Sequence, residues 1–356
     1  MRHEVSLIRE QGRAVPLIGL DMEGVAALCA DLDLEPFHHR EILAWIYLRR
    51  NLRPLTWTNI PVRGRELFDR RCVSGLPEIV EVRDSVDGTK KFLLELTDGL
   101  RIECVYIPDR TRRTVCISTQ VGCAMGCAFC MTSKMGLKRN LSAGEMLGQL
   151  SVLERNTDIS DIHYNVVFMG MGEPLANLDN LLSTLGALQD TKLGMGIARR
   201  RITVSTSGLI PELAKLASDT RCPRLAISIN AASDELRSSL MPINKRYPLS
   251  RLRNVLLEIT PNLKESLSLE YVLLSKVNDG VIDAEALRDF ASGLKVKINL
   301  IEFNPARGIK FNISSMDRMR KFQSVLLSAG IATSIRRSRG TDISAACGQL
   351  AVNKDR

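Results

Sequence analysis

Between about residue 114 and residue 301, short apolar runs alternate with longer segments of helical periodicity. The strand-like runs are Val115–Ser118, Asn165–Met169, Ile202–Ser205, Leu225–Ile229, Ser268–Leu274 and Val296–Ile301. The helix-like segments between them are Ser142–Glu154, Asn177–Gln189, Pro211–Ser218, Leu249–Ile259 and Asp283–Ser292. Such alternation is typical of βα units around a parallel sheet. Each unit takes about 31 residues, as in a complete eight-unit barrel, so six units predict an α/β fold with an incomplete (β/α)6 barrel.

The N-terminal part of the chain has a different pattern. Asp21 can cap a helix, and apolar side chains recur at helical spacing between Arg40 and Leu48. Further on, turn signals at Asp87-Gly88 and Asp98-Gly99 bracket a strand-like run. This arrangement predicts a small antiparallel β-meander ahead of the barrel.

We therefore expect three segments along the chain. They are an N-terminal helical accessory domain, an antiparallel β extension and a barrel domain with a C-terminal tail, covering residues 1–78, 79–112 and 113–356. The barrel domain contains a last predicted helix over Ser315–Leu327 and a short strand over Ala332–Arg336. Internal repeats and low-complexity segments are absent from the sequence.

Composition narrows the class of partner. The 356 residues carry a formal net charge of +9, which favours an acidic partner, and nucleic acid fits best. Basic pairs beside the predicted helices make residues 1–78 a candidate part of that surface. Aromatic residues are only 4% of the chain, which argues against a broad stacking platform for single strands. The sequence shows neither a signal-peptide pattern nor a long apolar segment, so we expect a cytoplasmic protein without membrane association.

Three of the nine cysteines lie within eight residues, directly after the first barrel strand. The spacing of Cys123, Cys127 and Cys130 indicates metal rather than a disulfide framework. Three thiolates leave one iron of a four-iron cluster open to chelate S-adenosylmethionine (SAM). Structural zinc needs a fourth ligand, and no second Cys-x-x-Cys or His pair exists. The Cys-x3-Cys-x2-Cys spacing, with Phe129 before the last cysteine, resembles the signature of the radical SAM superfamily.

Polar and glycine residues follow several predicted strands, at the carboxyl edge where barrel enzymes place their sites. Residues 169–174 read Met-Gly-Met-Gly-Glu-Pro and resemble the Gly-Glu-Pro motif of the same superfamily. Glycines there let the main chain approach a ligand, and Glu173 can accept a hydrogen bond from an ammonium group. The candidate SAM contacts are Gly172, Glu173, Ser205, Ser228, Ile229, Asn230 and Asn304.

Two more cysteines and one carboxylate complete a closer resemblance. Cys116 precedes the cysteine loop, Cys347 lies in a small-residue segment where a thiol is expected to be exposed, and Glu103 lies in the meander. From Glu103 to Leu350 the chain resembles, in order, the RlmN/Cfr family of RNA adenine methyltransferases. The motifs that carry this resemblance are Glu-Cys-Val-Tyr-Ile-Pro, Val-Cys-Ile-Ser-Thr-Gln-Val-Gly-Cys, Met-Gly-Met-Gly-Glu-Pro-Leu, Arg-Arg-Ile-Thr-Val-Ser-Thr-Ser-Gly, Met-Pro-Ile-Asn-Lys-Arg-Tyr and Ala-Ala-Cys-Gly-Gln-Leu.

The resemblance implies a function with separate tasks for five cysteines. Cys347 would take a methyl group from one SAM, and a radical made from a second SAM at a single [4Fe-4S] cluster would abstract a hydrogen from it. The resulting carbon radical would add to carbon 2 of an adenosine, and Glu103 would remove the proton there. Cys116 would then release the product by forming a disulfide with Cys347. Cys29, Cys72, Cys104 and Cys222 would be structural.

The family resemblance also implies partners. They are 23S ribosomal RNA and, by analogy, tRNA, with an electron donor such as flavodoxin or ferredoxin and a monomeric enzyme. The residues expected to contact RNA are Arg110, Arg112, Arg113, Lys134, Lys138, Arg139, Arg199, Arg200, Arg201, Lys245, Arg246, Arg336, Arg337 and Arg339. We expect recognition by RNA shape with one exposed base.

Three alternatives remain open from the residues alone. A Cfr-type enzyme would methylate carbon 8 with the same machinery, although Glu-Pro-Leu and Ser-Thr-Ser-Gly resemble the RlmN branch more. A radical SAM enzyme acting on a peptide or small molecule would leave Cys116 and Cys347 without a role. A zinc-stabilised RNA-binding protein would not be an enzyme. One departure is that Ser228-Ile229-Asn230 stands where the family commonly has Ser-Leu-His, so a ring contact to SAM is not available there.

Overall fold

A ten-stranded mixed sheet forms the centre of the protein in a computed structural model that describes residues 14–159 and 164–352. The strands, numbered along the chain, are β1 (Val15–Pro16), β2 (Cys72–Val73), β3 (Glu78–Asp84), β4 (Lys90–Glu95), β5 (Arg101–Asp109), β6 (Arg112–Cys116), β7 (Gln120–Val121), β8 (Arg139–Asn140), β9 (Asn165–Phe168), β10 (Ile202–Thr206), β11 (Arg224–Ser228), β12 (Leu267–Leu273), β13 (Val296–Glu302) and β14 (Thr333–Arg336). The pairs β1–β2 and β7–β8 form small sheets of their own.

Helices cover the sheet and connect its strands. They are α1 (Met22–Asp31), α2 (His38–Leu43), α3 (Val62–Arg71), α4 (Met131–Lys134), α5 (Ala143–Asn156), α6 (Leu178–Gln189), α7 (Ile210–Ser218), α8 (Asp234–Leu240), α9 (Leu249–Ile259), α10 (Val281–Ala291) and α11 (Met316–Ser328). Within the described ranges, none of these helices has the length and apolar character needed to cross a membrane. Asp21 caps α1 by accepting from the amide of Gly24, as predicted.

Seven neighbouring strands run parallel in the order β6-β9-β10-β11-β12-β13-β14. The six predicted barrel strands coincide with β6 and β9 to β13 to within three residues at each end, and β14 adds a seventh. Among the described strands, β14 and β3 each have one neighbour in this sheet, so the barrel stays open. The α/β fold with an incomplete barrel is confirmed. Periodicity does not predict α8, because its seven residues include only two large apolar side chains.

The meander and the barrel share one sheet. Strands β3 to β6 are antiparallel to one another, and β6 then pairs in parallel with β9. The N-terminal helices pack on the same apolar core as the barrel. Gly19 lies against Gly144 of α5 so closely that a β-carbon on Gly19 would be 2.5 Å from the Gly144 α-carbon. The division at residues 78 and 112 stays a prediction, and residues 1–13 of its first segment lie outside the described ranges.

The segment that follows β14, residues 337–352, runs back across the open side of the barrel as a tail. Hydrogen bonds attach it to the turn between β3 and β4: Ser85 Oγ donates to Asp342, and the Gly340 amide donates to Asp87. The tail is also attached to the cysteine loop, since the Met131 amide donates to the carbonyl of Gly348 over 2.8 Å. Regular secondary structure does not hold this segment, so these contacts position it.

A buried ion pair supports the same tail. The Lys91 ammonium lies 2.9 Å from one carboxylate oxygen of Glu103 and also donates to the carbonyl of Ser344. The second Glu103 oxygen accepts from the amide of Ala351 over 2.9 Å. Burial raises the pKa of Glu103, and Lys91 opposes that effect. The two side chains thus depend on each other.

Replacing Lys91 with Met should lower the free energy of unfolding by about 3–5 kcal/mol at pH 7, because it leaves Glu103 buried without its cation. The native pKa of Glu103 then rises further above its unfolded value, so the loss should shrink as pH falls from 7 to 5. Urea denaturation at both pH values measures this. Lys90→Met, next in sequence, breaks only the exposed pair with Asp84 and should cost less than about 1 kcal/mol. Equal losses in the two variants would contradict the assignment.

Candidate active site

The three-cysteine loop connects β7 to β8, the two strands of a small separate sheet. Cys123 is buried, whereas Cys127 and Cys130 are half-buried. The Cys123 amide donates to the Gly136 carbonyl over 3.2 Å, which closes the loop on itself. Gly122 has φ +78°, and a β-carbon there would lie 1.8 Å from that same carbonyl oxygen. Glycine is therefore required at this turn of the chain.

Ser133 fixes the far end of the loop by donating from its hydroxyl to the carbonyls of Cys127 and Cys130, at 2.7 Å each. The thiols are near enough to influence one another. Burial raises the pKa of Cys123 to about 11, and Glu173 and Cys130 act in the same direction. Burial also raises the pKa of Cys127, with further increases from Cys130 and Cys123.

This donor set fits a four-iron cluster better than zinc. Cys123 and Cys130 both raise the pKa of Cys127, so the three thiols of the loop lie near one another. Within those ranges, no group of three or more His, Cys, Asp or Glu converges on a single ion, as a zinc site would require. Each thiolate of a four-iron cluster binds a different iron atom, so such convergence is not needed.

Glu173 lies at the end of β9, beside the cysteine loop. Its carboxylate is buried and accepts from the Ser207 amide and hydroxyl, both at 2.8 Å, and from the Leu175 amide at 3.1 Å. Burial raises its pKa, and the donors of Ser207 oppose the rise. Gly172, at φ +104°, packs against Gln120, whose β-carbon would lie 2.6 Å from a β-carbon on Gly172. This glycine therefore serves close packing of two chain segments as well as any approach to a ligand.

The next two strand ends are tied together by a buried arginine that sequence reasoning missed. The guanidinium of Arg237 donates to the carbonyls of Ser207, Ser228 and Ile229, at 2.8, 3.1 and 3.1 Å. It also donates to Asn244, which belongs to the Met-Pro-Ile-Asn motif. Burial lowers the pKa of Arg237 to about 10, so it stays charged at neutral pH. Arg237 lies on α8, the helix that periodicity did not predict, and this explains the omission.

Asn230 ends the same segment with a left-handed backbone, φ +58°, which asparagine tolerates better than most residues. Its side-chain oxygen accepts from the Val272 amide over 2.8 Å, and its carbonyl accepts from Asn278 over 2.7 Å. The side chain is buried, and its amide nitrogen lies 3.2 Å from the Met241 sulfur. The asparagine thus joins β11 to β12. Ser205 is half-buried on β10, where it pairs with Ala226.

Cys116 and Cys347 line one cavity of about 910 Å³ inside the open barrel. Cys116 is buried at the end of β6, and Cys347 is exposed to the cavity from the tail. Both are free thiols. Burial raises the pKa of Cys116, and nearby Cys347 adds to the rise. The amide of Asn304 donates to the Cys347 carbonyl over 3.2 Å, so a predicted SAM contact also holds the tail in place.

Protein surrounding Cys347 raises the pKa of its thiol even though the open cavity exposes it to solvent, and Arg336 opposes the rise. Glu103 does not line this cavity. It is buried, not outward-facing, and its carboxylate is bound to Lys91 and the tail. Cys104 is buried in the apolar core on the other side of β5, as alternation predicts.

The basic residues separate into two groups. Six of those predicted from the sequence line the cavity: Arg112, Arg200, Arg201, Arg336, Arg337 and Arg339. In contrast, Arg139 is held by Asp98 and Glu145, and Arg113 by Asp158, away from the cavity. Sequence reasoning missed Glu270 and Asn299 on the cavity wall. Their signal was the alternation of polar residues along β12 and β13, the predicted strands Ser268–Leu274 and Val296–Ile301.

Comparison with known proteins agrees with this geometry. The model of the radical SAM superfamily matches residues 117–288. The dual-specificity RNA methyltransferase RlmN of Geotalea uraniireducens is 39% identical over 96% of this chain and 98% of its own. The protein of the same name from Rhodospirillum rubrum is 40% identical over 94% of this chain and 80% of its own.

A solved structure extends the similarity to the whole fold. The crystal structure of a radical SAM methyltransferase from Sphaerobacter thermophilus superposes with a TM-score of 0.89 at 38% identity. It covers 94% of this chain and 99% of the other. Together with the cysteine loop, the two thiols of the cavity and near-complete coverage of these relatives, the similarity shows that this chain belongs to the RlmN family of radical SAM RNA methyltransferases.

Proposed function

We propose that this protein methylates carbon 2 of a specific adenosine in 23S ribosomal RNA and in tRNA. The observation that carries the proposal is the pair of free thiols, Cys116 and Cys347, on one cavity beside a three-cysteine loop. A radical SAM enzyme acting on a peptide or small molecule would have no use for such a pair. The RlmN name of the relatives favours carbon 2 over the Cfr-type carbon 8.

Cys123, Cys127 and Cys130 would hold one [4Fe-4S] cluster. Around SAM we place Gly172 and Glu173, and the strand-end residues Ser205, Ser228, Ile229, Asn230 and Asn304. At Asn230 the contact would be made by the main chain, since the side chain is occupied by Val272. When bound, the cluster and two SAM molecules per turnover supply a methyl group and an organic radical.

Cys347 acts first, as the thiolate that takes the methyl group. After that methyl group has lost a hydrogen atom, its carbon forms the bond to the adenine and links the protein to RNA. Glu103 would then remove the carbon-2 proton, which requires its separation from Lys91 or a relay through water, because it does not line the cavity. Cys116 attacks the Cys347 sulfur, so the carbon–sulfur bond breaks and the released methylene carbon takes up a proton to complete the methyl group. The unpaired electron of the adduct would return to the cluster, and a dithiol must reduce the Cys116–Cys347 disulfide that forms.

The same function implies other components. A cytoplasmic monomer supplied with electrons by flavodoxin or ferredoxin fits a chain whose described helices do not span membranes. The basic residues of the cavity would meet RNA, and the N-terminal helices would extend that surface. Native mass spectrometry with purified flavodoxin would test both the monomeric state and the binding of this electron donor.

Replacing Cys127 with Ser should abolish cluster assembly, because two thiolates cannot hold the open-iron geometry. Iron and sulfide analysis after anaerobic reconstitution measures the result, and 5′-deoxyadenosine formation should fall to background. Cys222→Ser is the control, since Cys222 is another free thiol but lies outside the loop. It should keep full iron. If Cys127→Ser kept full iron as well, the loop would not be the cluster site.

Replacing Cys116 and Cys347 one at a time should give opposite results. Cys347→Ala has no atom to carry the methyl group, so it should form neither S-methylcysteine nor an RNA adduct. Cys116→Ala can form the link to RNA but cannot break it, so a covalent complex through Cys347 should accumulate. Denaturing gels before and after nuclease treatment measure this. Two mildly destabilised variants, both free of RNA, would instead mean that the thiols only pack.

A further inference from the structure

The cavity that holds Cys116 and Cys347 concentrates most of the excess charge of the protein. Eight basic and only two acidic side chains line it, an excess of six, while the whole chain carries +9. A concave site lined by one sign of charge focuses its field and raises the local concentration of oppositely charged ligands. A uniformly basic surface would not place two thirds of its charge around one cavity.

Four of these basic side chains have no partner within the described part of the chain. Arg112, Arg200, Lys297 and Arg337 are exposed, and their side chains make neither an ion pair nor a hydrogen bond there. Arg112 and Lys297 lie in the first two residues of β6 and β13, and Arg200 lies two residues before β10. Arg337 follows β14, where the tail begins to cross towards the start of β6. Most of the charge thus surrounds the amino ends of the strands, opposite the cysteine loop.

We propose that RNA docks on this amino-end mouth and that its target base enters the barrel there. Arg112, Arg200 and Lys297 would bind backbone phosphates there, and the base would reach Cys116 and Cys347 from the end opposite the cysteine loop. This inference rests on the proposed function. It adds which end of the barrel binds RNA and which residues bind the phosphates. It requires no motion of the cysteine loop, which covers the other end.

The test compares two double variants that remove the same charge. Arg200→Ala with Lys297→Ala changes the mouth, and Arg320→Ala with Lys321→Ala changes the exposed side of α11. The probe is a fluorescein-labelled RNA stem–loop with an adenosine in its loop, titrated at several salt concentrations. Losing two phosphate contacts should lower the salt slope by about 1.4 and the affinity at 0.15 M salt by about tenfold. The α11 variant should match the parent protein.

Equal slopes in the mouth variant and the parent, or the same loss in both double variants, would overturn the proposal. Formation of S-methyl-Cys347, which needs no RNA, checks that the mouth variant is intact. If the parent protein itself methylates no RNA, the proposed function fails independently, and that outcome is read from product nucleosides.

A second observation lies deeper in the same cavity. Glu270 on β12 is only 4% exposed, and one of its carboxylate oxygens accepts from Ser268 and Asn299, at 2.8 and 2.7 Å. The other oxygen is buried and has no hydrogen-bond donor; its nearest cation, Arg336, lies 3.7 Å away. Leaving a buried acceptor without a donor costs about 1–3 kcal/mol. A ligand with an N–H group would satisfy it.

We infer that the free Glu270 oxygen selects the target base by accepting from the 6-amino group of adenine. Guanine and hypoxanthine carry an oxygen at that position, and a carboxylate repels it. This inference also rests on the proposed function. The adenine of SAM carries the same amino group, so the test must separate the two sources.

Glu270→Gln reverses the preference without changing the shape of the site. Asn299 continues to donate to the oxygen that it already binds, so the new NH2 group replaces the free oxygen and turns an acceptor into a donor. Methylation of adenosine relative to inosine, in otherwise identical stem–loops, should fall at least about 100-fold. Glu302→Gln is the control, because Glu302 lies on neighbouring β13 but not on the cavity wall.

An unchanged ratio would overturn the inference. So would a loss of SAM affinity and of S-methyl-Cys347 by the same factor as RNA methylation, because Glu270 would then serve SAM. If the parent methylates neither RNA, the proposed function has failed. The affinities of parent and variant for the adenosine and inosine stem–loops are then compared instead. Equal relative binding in parent and variant would still reject the role of Glu270.

Discussion

The proposed chemistry depends on holding Cys347, which lies on a segment without helix or strand, against a strand of the barrel. Each attachment of the tail uses a polar partner from another element: Asp87 in the meander, Lys91 on β4, and Asn304 after β13. A hydrogen bond contributes only about 1 kcal/mol, so several are needed to fix one thiol. The meander therefore acts as a support for the tail, because β6 belongs to both the meander and the barrel.

Buried charge is concentrated around the same site. Glu103, Glu173, Arg237 and Glu270 are all nearly inaccessible to water, which costs free energy unless each group has partners. Three of them are satisfied by several donors or acceptors within the chain. Glu270, which lines the cavity, retains one buried oxygen without a donor. A wall that binds a ligand needs such a group, because the ligand can then supply the missing hydrogen bond.

The barrel could be predicted because each strand and helix carries its own period, and the cysteine loop because three thiols at fixed spacing have few other uses. Arg237 could not be predicted, since its role depends on three carbonyls from two other strand ends. The burial of Glu103 could not be predicted either. Alternation gives the face of a strand, but only the folded tail shows that this face is covered. Similarly, polar residues on β12 and β13 line a cavity only when the sheet curves.

The open barrel separates two requirements that would conflict at one end. The cysteine loop, whose thiolates would hold the cluster, and Glu173 lie at the carboxyl edge, where their negative charge would repel RNA phosphates. Most of the unpaired cations surround the amino edge, so attraction for RNA lies on the far side of the cavity. Cys116 and Cys347 line the cavity between the two edges, so in the proposed reaction a base would reach them from one side and a methyl donor from the other. An incomplete barrel permits this arrangement because its interior is a cavity and not a packed core.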